Sequence, residues 1–212
     1  MAFAEYYRHA LLYLASIKVE SLSPAEGQER AHDLCVAALL SDSLYNFGEL
    51  LTHPILKCLD GHPMAPLKQL LLAFNAGDHE AFEGATSFIN GHPGLKDHKD
   101  RLCQKICLMS LVEAVFRQLK SSRAITLTSI STATRVPQEQ AEFLVMKALS
   151  LKLIRGVLCQ PEGVFRIEWV QPRVLDRQQV GELLVGVEAW RRRVQETSNL
   201  IHAVLPESLK HL

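Results

Sequence analysis

Aromatic side chains are scarce, at 7% of 212 residues, and only two are Trp. No apolar run reaches the 18 or so residues that would cross a bilayer, so no membrane span is expected. The start, Met1 to Arg8, lacks the basic flank, apolar stretch and cleavage site of a secretory signal. Cysteine is sparse too. Cys35, Cys58, Cys103, Cys107 and Cys159 are odd in number and scattered, in a chain too large to need covalent staples. Reduced thiols in a soluble protein of the cytoplasm and nucleus are the expectation. With 11 Gly and 9 Pro, collagen-like and low-complexity chains are excluded, and 48% hydrophobic content supplies the apolar surface that ordering requires. Net charge is absent as well, at 23 Lys and Arg against 23 Asp and Glu. That zero hides a division. Residues 1–100 carry 7 bases and 13 acids, whereas residues 101–212 carry 16 and 10. An assembly component whose halves meet different neighbours fits this pattern; so do a nucleic-acid binder with an acidic half and two solvated faces of opposite tint.

What is present is helical periodicity. Phe3, Tyr6, Tyr7, Ala10, Leu11 and Leu14 predict a helix over 3–15. Ser23-Pro24-Ala25-Glu26 is a capping box with Pro at the first helical position, and it opens a helix to about Leu40 with Ala31, Leu34, Cys35, Ala38 and Leu39 as its stripe. A short helix from Asn46 is stopped or kinked by Pro54. Another runs from Leu67 to Asn75, and Asp78 caps one from His79 to Asn90, closed by Gly91-His92-Pro93-Gly94. Short helices on short loops, without a clean internal repeat, predict stacked helical hairpins in a solenoid. His98 to Leu119 reads as one longer helix, apolar nearly all round and therefore buried on several sides.

After Lys120 the pattern changes. A strand at Ile125–Leu127, a short helix at Ser129–Thr134 and a helix from Pro137 to Ser150 precede two strands, Leu153–Cys159 and Val164–Val170, around Pro161-Glu162-Gly163. That order is a winged helix. The tail then carries Val180, Leu183, Val187, Trp190, Val194, Thr197, Ile201 and Val204 at spacings of three and four, an unbroken heptad seam. Gly181 and Gly186 each weaken such a helix by about 1 kcal/mol relative to Ala, so it needs contacts to hold it. A helix folded back on its own domain is the plain alternative. A seam this long exceeds what a small winged helix covers, which favours docking against helices of other chains.

The chemistry of an active site is missing. Cys103 and Cys107 stand four apart, but a closed zinc site needs four ligands, and their apolar neighbours make them core thiols. The histidines, such as His53, His62, His79 and His92, fall at helix ends and loops without a metal-binding pair. No phosphate loop or nucleophile elbow occurs. Glu80 and Glu83 read as a solvated helix face. No catalytic, cofactor-binding or metal-binding residue is assigned. The helix that would enter a DNA groove opens Gln138-Glu139-Gln140-Ala141-Glu142, and those carboxylates would repel phosphate. Arg191-Arg192-Arg193 flanks the seam, where arginine stems also suit helix contacts.

Helical hairpins, a winged helix and a terminal seam together resemble the PCI domain, a scaffold module of the proteasome lid, the COP signalosome and a large translation initiation factor. Four segments narrow the resemblance to the family of the 26S proteasome's non-ATPase subunit 13, over its C-terminal half. They are Tyr45-Asn46-Phe47-Gly48-Glu49-Leu50-Leu51-Thr52-His53-Pro54, Gln104 to Met109, Leu144 to Ser150 and Trp169 to Leu175. The resemblance implies a mainly α fold, with stacked hairpins over 1–119, a winged helix over 120–175 and a bundle helix over 176–212. It implies a non-catalytic lid subunit that scaffolds assembly and so supports ubiquitin-dependent degradation, without cofactor, nucleic acid or membrane. Its implied partners are other PCI lid subunits, the deubiquitinase pair and the ubiquitin receptor; Val180, Leu183, Val187, Trp190, Val194, Ile201 and Val204 would form the interface. Two departures stand out. The family's chain is longer at its N-terminus, so an isoform or fragment is expected here, with a first helix face that further repeats would cover. Leu151-Lys152 also stands where a glycine usually precedes the strand. The alternatives are a nucleic-acid-binding winged-helix regulator, and a PCI scaffold of the signalosome or of an initiation factor.

Overall fold

A computed structural model describes residues 2–17, 22–61, 63–119, 122–172 and 177–204. The chain forms two compact units, Met1–Pro172 and Arg173–Leu212.

The first unit begins with α1 (Ala2–Ser16) packed on α2 (Pro24–Leu40). The start of α2 follows from local chemistry. The Ser23 hydroxyl accepts the Glu26 N–H at 3.3 Å while the Ser23 N–H donates to the Glu26 carboxylate at 3.2 Å, and Pro24 supplies a preset φ. All five residues of the expected α2 stripe are buried. After α3 (Gly48–Thr52), Pro54 ends the α-helix and begins a 3-10 segment, Pro54–Leu59, whose Ile55 N–H donates to His53 Nδ1. Helix α4 (Ala65–Ala76) stops at Gly77, where φ is +66° and an added Cβ would lie 2.7 Å from the Ser110 Cα. Only glycine satisfies both demands.

The single helix expected from His79 to Asn90 is instead two, α5 (His79–Gly84) and α6 (Thr86–Gly91). Gly84 lowers helix propensity at the break, and Ala85 takes φ −85° and ψ 0° there. The Asp78 cap holds, with its carboxylate accepting from the Glu80 and Ala81 N–H groups. A turn of helix, α7 (Pro93–Lys96), leads to α8 (Lys99–Leu119).

Helix α8 serves two hydrophobic cores. Leu102, Ile106 and Met109 join the core formed with α1 to α7, and Leu108, Leu111, Val112 and Val115 join that of the winged helix. The latter comprises β1 (Ala124–Thr126), α9 (Leu127–Thr134), α10 (Gln138–Ser150), β2 (Ile154–Cys159) and β3 (Val164–Val170). Its antiparallel sheet has the order β1-β3-β2, with Phe165 between Ile125 and Leu158. Lys152 takes φ +58° at the position where the glycine of the resembling family is absent. The fold is mainly α with a small sheet, as the sequence predicts. The second unit holds α11 (Arg177–Val204), 28 residues long.

Candidate functional site

Helix α11 presents the heptad seam as one face, because residues three and four apart lie above one another on a helix. Val180, Leu183, Val187, Trp190, Val194 and Ile201 are between 47% and 62% exposed. Val204 closes the helix, and its side chain lies outside the described residues. A shallow groove along the helix is lined by Trp190, Arg193, Val194, Thr197, Ser198 and Ile201. Thr197 occupies a seam position, and its hydroxyl donates back to the Arg193 carbonyl at 2.8 Å, which removes much of its polarity from the face. The structure thus gathers the described seam residues into one apolar stripe; leaving it in water costs free energy that a partner helix would recover.

The winged helix offers a different surface. Phe143 and Met146 stand exposed on α10, and Val157 on the outer strand β2. Glu139 is exposed at the start of α10, and Glu142 accepts a hydrogen bond from the Gln160 amide. Helix α10 therefore leads with carboxylates, the wrong sign for phosphate.

No constellation for covalent or metal chemistry emerges among the described residues, and no group of three His, Cys, Asp or Glu is placed to hold a metal. Cys103 and Cys107 are half-buried rather than fully buried, and burial raises both thiols above their ordinary range. Thiolate nucleophiles need the opposite environment. Glu80 and Glu83 are not a merely solvated face, since Arg135 reaches both carboxylates at 3.0 Å. Arg135 sits at φ +54° between α9 and α10, so this fork ties the winged helix to α5.

Two polar clusters escaped the sequence reading. Lys105, within the apolar α8, is 3% exposed; its Nζ donates to the carbonyls of Ala38, Leu39 and Ser41 at 2.8, 3.1 and 2.8 Å. These lie at the C-terminal end of α2, whose last carbonyls have no partner within the helix. The Tyr45 and Phe47 rings lie 5.4 and 5.3 Å from the same nitrogen. Burial pulls the ammonium down to about 7, with Asp42 opposing and Arg101 assisting the fall. The three carbonyls act against burial, because only the charged form has a proton for each.

The second cluster pairs His32 with His92, whose Nε2 atoms are 2.9 Å apart. The Gly94 N–H donates to His92 Nδ1, so the neutral ring carries its proton on Nε2 and donates to His32 Nε2. The His32 proton then lies on Nδ1, directed at the Asp33 carboxylate 3.0 Å away, which also accepts from the Tyr6 hydroxyl. The chain of donors links α1, α2 and the start of α7, and is a structural lock. His53 and His92 act as helix caps, the role their positions suggest.

Comparison with known proteins places this geometry in context. The pattern described as PSD13 N-terminal repeats matches residues 1–71, and that of the PCI domain matches residues 85–169. The chain is 41% identical over 199 residues to "Probable 26S proteasome regulatory subunit rpn9" of Schizosaccharomyces pombe, covering 94% of this chain and 52% of that protein. It is 37% identical over 202 residues to "26S proteasome non-ATPase regulatory subunit 13" of Dictyostelium discoideum, covering 93% and 52%. A more distant similarity, 29% over 199 residues, links it to "Eukaryotic translation initiation factor 3 subunit M" of Emericella nidulans, covering 87% and 43%. The chain spans about half the length of the two proteasome relatives.

Proposed function

We propose, on the premise that this chain is a PCI-domain relative of the 26S proteasome's non-ATPase regulatory subunit 13, that it is a non-catalytic scaffold of the regulatory-particle lid. In that role it supports ubiquitin-dependent degradation by holding neighbours in place rather than by acting on substrate. The observation that carries the reading is the apolar seam of α11, exposed along the helix in a chain whose relatives are named as proteasome regulatory subunits. Val180, Leu183, Val187, Trp190, Val194, Ile201 and Val204 form the assembly interface. Residues 1–119 act as the repeat part, 120–175 as the winged helix and 176–212 as the bundle helix. The partners are other PCI lid subunits, the deubiquitinase pair and the ubiquitin receptor, in the cytoplasm and nucleus. Raised thiols in half-buried positions and the acidic start of α10 favour a scaffold over a catalyst or a DNA reader.

The similarity to an initiation factor subunit supports a second reading, a PCI scaffold of that complex, at lower identity. Affinity purification of the tagged chain from cells, with identification of the co-eluting proteins, separates the two. Lid subunits in stoichiometric amounts are expected. Initiation factor subunits in their place would overturn the proteasome assignment.

A further inference from the structure

The described charges that border the seam of α11 are of one sign, while the outward face carries both signs, with Arg192 among the acids. With Val180, Val187, Val194 and Ile201 at the first apolar position of each heptad and Leu183, Trp190 and Thr197 at the second, the residues bordering the seam follow directly. On one side they are Leu184, Arg191 and Ser198, and on the other Gln179, Gly186, Arg193 and Leu200. The charged residues among these are both arginines. The helix's described acids, Glu182, Glu188 and Glu196, all fall on the side away from the seam. Glu188 and Glu196 stand within helical reach of Arg192, yet no ion pair among the described residues involves Arg191, Arg192 or Arg193. Arg193 also lines the groove beside Trp190 and Val194.

We infer that the seam takes a helix of another protein that carries carboxylates at its own flanking positions, opposite the Trp190–Val194 heptad. This rests on the reading of the seam as a docking face and adds the chemistry of its occupant. Arginine forks grip carboxylates in two-pronged fashion, and at the border of an apolar seam they select partner and register. The described flanks of a second copy hold no acid and so do not meet this requirement.

The test uses the full chain and two synthetic four-heptad peptides with the same leucine and isoleucine seam, one with Glu and one with Lys at every flanking position. Like-charged flanks keep each peptide from pairing with itself. Anisotropy of the labelled peptides should show the Glu peptide binding about tenfold or more tightly at low salt, with the preference shrinking as salt rises. Arg191→Glu with Arg193→Glu should reverse it. Equal affinities, or a preference for the Lys peptide, would overturn the inference and leave the docking face standing. Binding of neither peptide by a chain that sediments as a monomer removes both, whereas self-association seen by sedimentation would overturn the inference and mark a second copy as the occupant of the docking face.

Discussion

Lys105 shows how much one buried polar residue can decide. Its Nζ reaches three carbonyls at the end of α2 and has a proton for each only while charged, so Lys105→Met, which keeps the stem and leaves three carbonyls without a donor, should cost about 2–4 kcal/mol in chemical denaturation below pH 7. The pH dependence follows from the direction of its shift. Its folded value, pulled to about 7, lies below the ordinary lysine value near 10.4. Between those limits the unfolded chain binds more protons, so stability rises with pH, by at most about 1.4 kcal/mol per unit. Lys105→Met should flatten the rise between pH 7 and 10, and an unchanged slope would show that another group sets it. His92 acts in a separate window. Burial, and then the neighbouring His32, hold it below the usual histidine value, so its contribution is full above about 6.5 and is lost as pH falls below that. His92→Asn keeps an acceptor for the Gly94 N–H and should weaken the acid sensitivity of unfolding between pH 5 and 6.5.

At the scale of elements, the hairpin of the winged helix turns on Gly156. A Cβ there would lie 2.0 Å from the Arg166 carbonyl oxygen and 2.8 Å from Phe165, at an irregularity in the β2–β3 register. Gly156→Ala should therefore open the hairpin and destabilise the first unit by more than about 2 kcal/mol, read as a lowered melting temperature. Elements whose start is dictated within three or four residues were legible in the sequence. The Ser23-Pro24-Glu26 box, the Asp78 cap and the alternation of Phe165 and Ile167 each needed no distant information. What stayed hidden depends on residues far apart. Lys105 meets backbone carbonyls more than sixty positions away, and backbone leaves no mark on side-chain pattern, so α8 read as simply apolar. His32 and His92 are likewise sixty apart, and Arg135 meets Glu83 and Glu80 across 52 and 55 positions. The α11 seam was legible as a pattern because heptad spacing is local; the identity of what covers it is not local at all.

At the scale of the whole molecule, a scaffold should bind proteins and leave duplex DNA alone. Neutralising several phosphates would give a fall of log K with log salt of about 0.9 per phosphate, and with Glu139 and Glu142 leading α10 no such binding is expected near physiological salt. Sub-micromolar, salt-sensitive binding to duplex would favour the regulator instead. The central claim, that α11 carries assembly while the remainder folds without its seam, is tested most directly by Val187→Asp with Val194→Asp. One preparation is melted and the matching one is used for co-purification from cells. Both side chains are about half exposed, so the fold should keep its helix content and its melting temperature within a few degrees, while lid subunits vanish from the eluate. A melting temperature lowered by more than about 10 °C, which for ~200 residues means several kcal/mol, would contradict this account. So would undiminished recovery of the lid by the substituted chain.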